Sequence, residues 1–180
     1  IERHFDFSAG EIAVRVTRNG ELSDATVNAQ IAGTTQNVAG GRTYVSATSN
    51  PRVLKVASGT YDVTVKSVEV RNAPPHVFES VVVNGGERTS LEHAFESGIV
   101  RIGVNRSGAL VDAVVNVIQA DGSSAGGGRT YTAASSNPKE IVVTPGTYTL
   151  RIWEVRGDDR ELPVDVAAGE IVEVLIDLDL

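Results

Sequence analysis

The chain has 180 residues, no cysteine, a net charge of −7 and an isoelectric point near 5.0. The missing cysteines exclude disulfides and thiolate metal sites, and the acidic balance argues against a surface that binds nucleic acid. No run of apolar residues is long enough to span a bilayer, so we expect no membrane insertion.

Apolar and polar residues alternate at a period of two along most of the chain, which is typical of strands with one buried face. Ile12, Val14 and Val16, for example, can face one side while the residues between them face the other. The β-branched runs and frequent glycines disfavour helices. In chain order the alternation predicts strands at 11–17, 25–32, 42–47, 52–57, 60–70, 77–83 and 88–95, and again at 99–105, 113–119, 129–134, 139–144, 147–155, 161–166 and 170–178.

The two sets of strands belong to an internal repeat. Gly40–Pro51 reads GGRTYVSATSNP and Gly127–Pro138 reads GGRTYTAASSNP, so nine of twelve letters agree at an interval of 87. Seven short strands per copy, separated by turns, are typical of an antiparallel sandwich. We therefore predict an all-β chain with two tandem seven-stranded antiparallel β-sandwiches. The first repeat covers residues 8–96 and the second covers residues 97–180.

The opening residues 1–7 resemble the closing strand of each repeat. They are either the tail of a preceding copy or an extra strand of the first sandwich, and both alternatives stay open. The chain starts with Ile and has no signal-peptide pattern, so we expect it to be a piece of a longer precursor.

A Gly-Thr-Tyr unit recurs at Gly59–Tyr61 and Gly146–Tyr148. We expect each glycine to occupy a turn with positive φ. Each tyrosine should bury its ring and donate its hydroxyl proton to nearby backbone.

The Arg-Thr-Tyr phrase and its terminal asparagine admit two interpretations. In the structural one, the tyrosine packs against the sheet, Arg42 or Arg129 pairs with the recurring Glu69 or Glu154, and Asn-Pro begins the next strand. In the functional one, these side chains form a repeated contact patch, because Arg and Tyr are enriched at binding hot spots. The candidate ligand-binding residues are Arg42, Tyr44, Asn50, Arg129, Tyr131, Asn137 and Trp153.

Trp153 is the only tryptophan, and it is either a core residue or an exposed ring that stacks on a sugar. Other candidate chemistry is sparse. The three histidines have no ligand spacing, and Asp158 with Asp159 and Glu161 is read as a solvated turn rather than a weak Ca²⁺ site. Arg156–Asp158 spells Arg-Gly-Asp, a tripeptide that arises often by chance. We predict no catalytic residues, no metal and no cofactor.

Several segments resemble the prealbumin-like (transthyretin-like) sandwiches, which include carboxypeptidase regulatory-like domains and collagen-adhesin B-type repeats of bacterial surface proteins. They are Gly20–Val27 (GELSDATV), Val53–Val65 (VLKVASGTYDVTV), Gly108–Val115 and Ile141–Ile152 (IVVTPGTYTLRI). The resemblance implies an immunoglobulin-like sandwich and a non-catalytic accessory, spacer or adhesive role.

From this resemblance we expect a secreted, periplasmic or cell-surface bacterial protein. Its partners would be other domains of the parent protein or a surface protein. The alternative function is an accessory module that binds carbohydrate or another ligand through Trp153 or the Arg-Thr-Tyr patch.

Overall fold

The computed structural model describes residues 8–154 and 159–179. All regular elements in this part of the chain are β-strands, so the predicted all-β class is confirmed. Residues 1–7, predicted to be a closing or extra strand, lie outside the described residues, and so does Arg156–Asp158.

The described residues form sixteen strands, eight before Glu96 and eight after it. The first eight are β1 (Ala9–Arg18), β2 (Glu21–Leu22), β3 (Ala25–Ile31), β4 (Asn37–Arg42), β5 (Arg52–Ala57), β6 (Gly59–Ser67), β7 (His76–Val83) and β8 (Arg88–Phe95). The second eight are β9 (Gly98–Arg106), β10 (Ala109–Leu110), β11 (Ala113–Ile118), β12 (Ser124–Arg129), β13 (Lys139–Val143), β14 (Gly146–Glu154), β15 (Asp159–Val166) and β16 (Ile171–Asp177). The strand beyond the predicted seven is the two-residue β2 or β10.

The chain divides into two compact units. The first contains the described residues up to Glu69 together with Pro74–Phe95, and the second contains Val70–Ala73 and the residues from Glu96 onward. Independent folding of two repeats at 8–96 and 97–180 stays a prediction.

Each unit has two four-stranded sheets with the same topology. In the first unit one sheet has the order β4-β3-β6-β7 and is antiparallel throughout. In the other sheet, β1 pairs antiparallel with β2 and β5 and parallel with β8. The second unit repeats this arrangement, with β9 pairing parallel with β16. The parallel pair is a departure from the purely antiparallel sandwich that the sequence predicted.

The core of each unit comes from the alternation of apolar residues along its strands. Ile12, Val14 and Val16 of β1 are fully buried, and so are their counterparts Val100, Ile102 and Val104 of β9. In the second unit the β9 residues join one cluster with residues of β11 and β14 from the other sheet. Burying one such side chain contributes about 1.5–3 kcal/mol, so this layer drives the folding of each unit.

The predicted strands at 42–47 and 129–134 are wrong. The fourth strand of each unit lies earlier, at Asn37–Arg42 and Ser124–Arg129, and a loop follows it. Tyr44 and Tyr131 have a φ of 57°, which an extended strand cannot include. The prediction missed β4 and β12 because these glycine-rich strands lack the alternation of apolar and polar side chains that predicts a strand.

The Gly-Thr-Tyr units confirm the expectation for tyrosine, whereas the positive φ expected for glycine is present at Gly146, at 157°, and absent at Gly59. Tyr61 is 6% exposed and Tyr148 is 5% exposed. Their hydroxyls donate to the carbonyl oxygens of Ala57 and Thr144 at 2.8 and 2.7 Å. Gly59 does not have the positive φ that we expected. An added Cβ there would lie 3.3 Å from the Tyr61 hydroxyl oxygen, so close approach of the ring favours glycine.

Candidate functional site

The loop after β4 is held in place by Thr43, which is fully buried. Its hydroxyl donates to the carbonyl oxygen of Ser23 at 2.8 Å and accepts a hydrogen bond from the Ala25 amide at 2.9 Å. Thr130 makes the same two bonds in the second unit, with Val111 at 2.8 Å and Ala113 at 3.0 Å. The central Thr of the repeated phrase therefore ties the start of this loop to the neighbouring strand.

Asn50 ties down the other end of the loop and is only 3% exposed. Its amide nitrogen donates to the carbonyl oxygens of Val16, Ser23 and Tyr44 at 2.7, 3.2 and 3.3 Å. Its amide oxygen accepts a hydrogen bond from the Val16 N–H at 3.0 Å. Each of these Asn50 side-chain hydrogen bonds is made to a backbone N–H or carbonyl group.

Asn137 repeats this arrangement in the second unit with nearly the same distances. It bonds both the N–H and the carbonyl of Val104, at 3.0 and 2.7 Å, and it also donates to Val111 and Tyr131. The bonds that follow, Asn50-Pro51 and Asn137-Pro138, are both cis. Among the candidate ligand-binding residues, the two asparagines thus face the interior.

Arg42 and Tyr44 lie on the outside of the same loop. The Arg42 guanidinium forms two hydrogen bonds with the Asp24 carboxylate, and it lies 5.0 Å from the centre of the Tyr44 ring. The hydrogen bond with Asp24 raises the pKa of Arg42 above its ordinary value. Tyr44 is half exposed. Each loop therefore displays a tyrosine that carries a guanidinium fixed against its ring.

The second unit has the same pair, in Arg129 and Tyr131. Arg129 donates to the Asp112 carboxylate at 2.5 and 2.6 Å and lies 5.2 Å from the Tyr131 ring centre. This hydrogen bond lowers the pKa of Asp112 below its ordinary value.

The predicted pairing of these arginines with Glu69 and Glu154 is wrong. Glu69 instead accepts hydrogen bonds from Arg18 and Ser23, and Glu154 pairs with Arg106. The aspartates Asp24 and Asp112 are nearer because each directly precedes β3 or β11, two residues before the strand residue that pairs with the arginine. The recurring Asp-Ala dipeptide in the two copies was the signal that could have identified them.

The paired glycines before Arg-Thr-Tyr have a packing role. A Cβ on Gly41 would lie 2.2 Å from the Nε of Arg52, and one on Gly128 would lie 2.6 Å from the Cε of Lys139. The side chain from the next strand lies directly over the glycine in each unit, so a larger residue there must displace it.

Trp153 lies on the outer face of its sheet and is partly buried. Its neighbour Ile152 is fully buried and belongs to the core cluster, whereas Trp153 does not. The strand register pairs Val114 with Trp153 on one side and with Arg129 on the other. The structure thus brings Trp153 and Arg129 onto one face of the second unit, a placement that the sequence did not predict.

Two histidines of the first unit stack on each other. The rings of His76 and His93 are 4.1 Å apart at an interplanar angle of 12°. They belong to β7 and β8, which are in different sheets, so strand spacing in the sequence gave no signal of the contact. Desolvation, and then the nearby His76, lowers the pKa of His93 below its ordinary value of 6.5.

We expect acidification below about pH 6.5 to destabilise the first unit selectively. A lowered pKa means that folding favours the neutral ring, so its stabilisation is complete above pH 6.5 and is lost as the pH falls through the pKa of the folded state. The second unit has no histidine after Glu96 and serves as an internal reference. Hydrogen exchange of the full chain at pH 8 and pH 5.5 measures the stability of both units. His93→Ile introduces the residue that the second unit has at the equivalent position, Ile176, and should remove the selective loss of stability in the first unit.

The carboxylates near Trp153 form ion pairs with the side chain of Arg151. Asp159 accepts a hydrogen bond from Arg151 at 2.7 Å, and Glu161 lies 3.5 Å from the Arg151 Nε. Asp158, the remaining member of the weak Ca²⁺ site that we considered, lies outside the described residues. In residues 8–154 and 159–179, no group of three His, Cys, Asp or Glu side chains could hold a metal. No helix in that part of the chain is long and apolar enough to cross a membrane.

No protein-family model matches the sequence, and no curated protein matches it. Similar solved structures include GBS52, the minor pilin of Streptococcus agalactiae, with a TM-score of 0.46 and 11% identity over 93% of this chain and 94% of that one. The tip fimbrial protein Mfa3 of Porphyromonas gingivalis has a TM-score of 0.44 and 8% identity over 89% of this chain and 83% of that one.

The TIE protein of Bacillus anthracis has a TM-score of 0.42 and 16% identity over 94% of this chain. The present chain spans about a third of that protein, namely 34%. The more specific resemblance to prealbumin-like sandwiches stays an expectation.

Proposed function

We propose that this chain is a non-catalytic tandem β-sandwich module of a secreted or cell-surface bacterial protein, and that its units act as spacers that resist tension. Its partners are the neighbouring domains of the parent protein or another surface protein. The observation that carries the spacer role is the parallel pairing, in each unit, of the first and last long strands among the described residues.

The first and last strands of the first unit are paired over eight residues, from Glu11 with Arg88 to Arg18 with Phe95. Backbone hydrogen bonds close the pair at both ends, from the Glu11 N–H to the Glu87 carbonyl at 2.8 Å and from the Asn19 N–H to the Phe95 carbonyl at 3.0 Å. The chain therefore enters at one end of this ladder and leaves at the other.

The same ladder closes the second unit. It begins with a bond from the Ile99 N–H to the Glu170 carbonyl at 2.8 Å and ends with one from Leu178 to Asn105 at 3.0 Å. Between them, seven residues of β16 pair with β9.

This geometry determines how a pulling force acts on the hydrogen bonds. When force enters at the start of the first strand and leaves at the end of the last, two adjacent parallel strands are sheared along their length. All inter-strand bonds then bear the load together, whereas two strands pulled apart from the same end lose their bonds one at a time. A sheared ladder therefore raises the barrier to forced unfolding, which is set by the unfolding rate.

Exposed ion pairs also join the first and last strands. Arg88 donates to Glu11 at 2.7 Å in the first unit, and Arg101 donates to Glu173 at 2.8 Å in the second. Each such exposed pair contributes only about 0–1 kcal/mol. The backbone ladder, rather than the ion pairs, therefore dominates resistance to shear.

The spacer role is tested by pulling one unit in two directions. The chain has no cysteine, so Ala9→Cys with Glu96→Cys attaches handles at opposite ends of the β1–β8 ladder. Ala9→Cys with Glu87→Cys attaches them at the same end, where the Gly86 N–H bonds to the Ala9 carbonyl at 2.9 Å. All three side chains are exposed. In single-molecule force spectroscopy we expect the first pair to give the higher rupture force at every loading rate.

Chemical denaturation of both double-cysteine variants provides the control. Because their folds are the same, their free energies of unfolding should agree, and any difference in rupture force then comes from direction alone. Equal rupture forces for the two directions, at equal stability, would contradict the spacer role.

The interaction side of the proposal is supported by the displayed Arg–Tyr pairs. Tyr44 and Tyr131 are 50% and 51% exposed and both have a positive φ, which is a costly conformation for a bulky residue. Buried Thr and Asn side chains hold each loop in this conformation. An exposed, fixed aromatic ring with a guanidinium over it suits a contact with another protein, because little side-chain entropy is lost on binding.

A further inference from the structure

The second unit carries a strip of one arginine, one valine and one tryptophan on the outer face of the β12-β11-β14-β15 sheet. The strip consists of Arg129, Val114 and Trp153, which occupy one row across three strands. The inward positions on either side, such as Val115 and Ile152, are fully buried, so the strip residues face outward. Adjacent strands are about 4.8 Å apart, so Arg129 and Trp153 are separated by roughly 10 Å.

The equivalent row of the first unit is polar. There the register pairs Thr26 with Arg42 on one side and with Lys66 on the other. Val114 and Trp153 thus take the places of Thr26 and Lys66, while the arginine is common to both units. Lys66 occupies in the first unit the strand position that Trp153 occupies in the second, so the fold does not require an aromatic ring there.

Carboxylates fix the cations around the strip. Arg151 lies 5.7 Å from the Trp153 ring centre and donates to Asp159 at 2.7 Å. Arg129 lies against Tyr131 and donates to Asp112 at 2.5 Å. Both guanidiniums are exposed and each is paired with a carboxylate, so the positive charges at the strip are already balanced before a ligand arrives.

The polar groups at the strip determine which ligand fits. Two guanidiniums are matched by three carboxylates, those of Asp112, Asp159 and Glu161, and this excess repels polyanions. Hydroxyl groups both donate and accept hydrogen bonds, so they can pair with the guanidinium donors as well as with the carboxylate acceptors. A pyranose ring combines such hydroxyls with an apolar C–H face that can lie on the indole and on Val114.

We propose that this strip is a binding site for a neutral oligosaccharide, with Trp153 as the stacking residue. The site lies entirely in the second unit and is independent of the spacer role, so failure of either proposal leaves the other intact. The surface is open rather than deep, so we expect weak affinity for a single site, with a dissociation constant of about 0.1–1 mM.

Fluorescence of the single tryptophan reports binding directly in the full chain. Cellohexaose, maltohexaose, xylohexaose and mannohexaose serve as neutral probes, and a galacturonic acid oligomer serves as the acidic one. We expect a saturable fluorescence change with at least one neutral probe and none with the acidic one. The proposal is overturned if only the acidic probe gives a saturable change, or if none of the probes gives one.

The first unit supplies the matched variants. Trp153→Lys, which installs the residue that the first unit uses, should weaken binding of the active probe at least about tenfold in calorimetry. Lys66→Trp with Thr26→Val should create a second site and raise the stoichiometry. Unchanged affinity in Trp153→Lys, in a variant with unchanged thermal unfolding, contradicts the assignment.

A measurement on the unaltered chain guards against misfolding of the variant. The methyl resonances of Val114 should shift on titration with the active probe, while those of Thr26 should not. Shifts confined to the first unit would place the binding elsewhere and overturn the proposal.

Discussion

Replacing Asn50 by Ala is expected to lower the free energy of unfolding of the first unit by about 3–5 kcal/mol. The side chain satisfies both the N–H and the carbonyl of buried Val16 and two further carbonyls. Alanine can replace none of these bonds. The Val16 carbonyl keeps its bond from the Ser23 N–H, and the Ser23 carbonyl keeps its bond from the Thr43 hydroxyl. The buried Val16 N–H loses its partner, which costs about 1–3 kcal/mol, and each of the other lost bonds adds about 1 kcal/mol. Chemical denaturation of the full chain, followed by hydrogen exchange to identify the unit that opens, measures the effect.

Asn84→Ala is the matched control, because the exposed Asn84 bonds only the exposed Glu87 among the described contacts. That change should stay within about 0.5 kcal/mol. Asn137→Ala repeats the test in the second unit, where the bonds to Val104 are equivalent. If Asn50→Ala costs no more than Asn84→Ala, the loop is not held by its asparagine and the structural account of the phrase fails.

Replacing Tyr61 or Tyr148 by Ala should cost about 3–5 kcal/mol in its own unit, because a large buried ring is lost and a cavity remains. Tyr61→Phe and Tyr148→Phe separate the hydroxyl from the ring. Tyr148→Phe should cost more, since its hydroxyl also bonds the Thr144 hydroxyl at 2.8 Å and accepts from the Asn72 amide at 3.0 Å. Asn72 belongs to the segment Val70–Ala73 that groups with the second unit.

Thermal and chemical unfolding of the four tyrosine variants measure these costs. Tyr44→Ala and Tyr131→Ala are the controls, because these rings are half exposed and their loss leaves no core cavity. Equal costs for the two Phe variants would show that the extra bonds of Tyr148 add nothing. Costs for Tyr61→Ala no larger than for Tyr44→Ala would contradict a core role.

The repeated phrase shows how far sequence reasoning reaches within the candidate site. The match of nine letters in twelve indicated a fixed loop, but both a structural and a contact role fitted the letters. The structure divides the phrase between these roles: Thr43 and Asn50 face inward and bond backbone, whereas Arg42 and Tyr44 face solvent. Whether the outward pair makes a contact stays a proposal.

Contacts between distant segments explain the errors. The partner of Arg42 is Asp24, eighteen residues earlier, because strand pairing brings them together, and the sequence offered Glu69 as an equally charged choice. Gly59 was assigned a turn conformation because glycine permits one, yet it is the close approach of the Tyr61 ring that favours the small residue. In each case the residue type allowed several roles.

The sequence by itself determined the all-β class, the position of most strands, the repeat and the burial of Tyr61 and Tyr148. These follow from local signals, because alternation of apolar residues and turn residues acts over a few neighbouring positions. Tertiary structure alone decided the parallel pairing of β1 with β8, the stacking of His76 on His93 and the row from Arg129 to Trp153. These depend on which strands become neighbours and in which register, and register is set by packing of the whole sandwich.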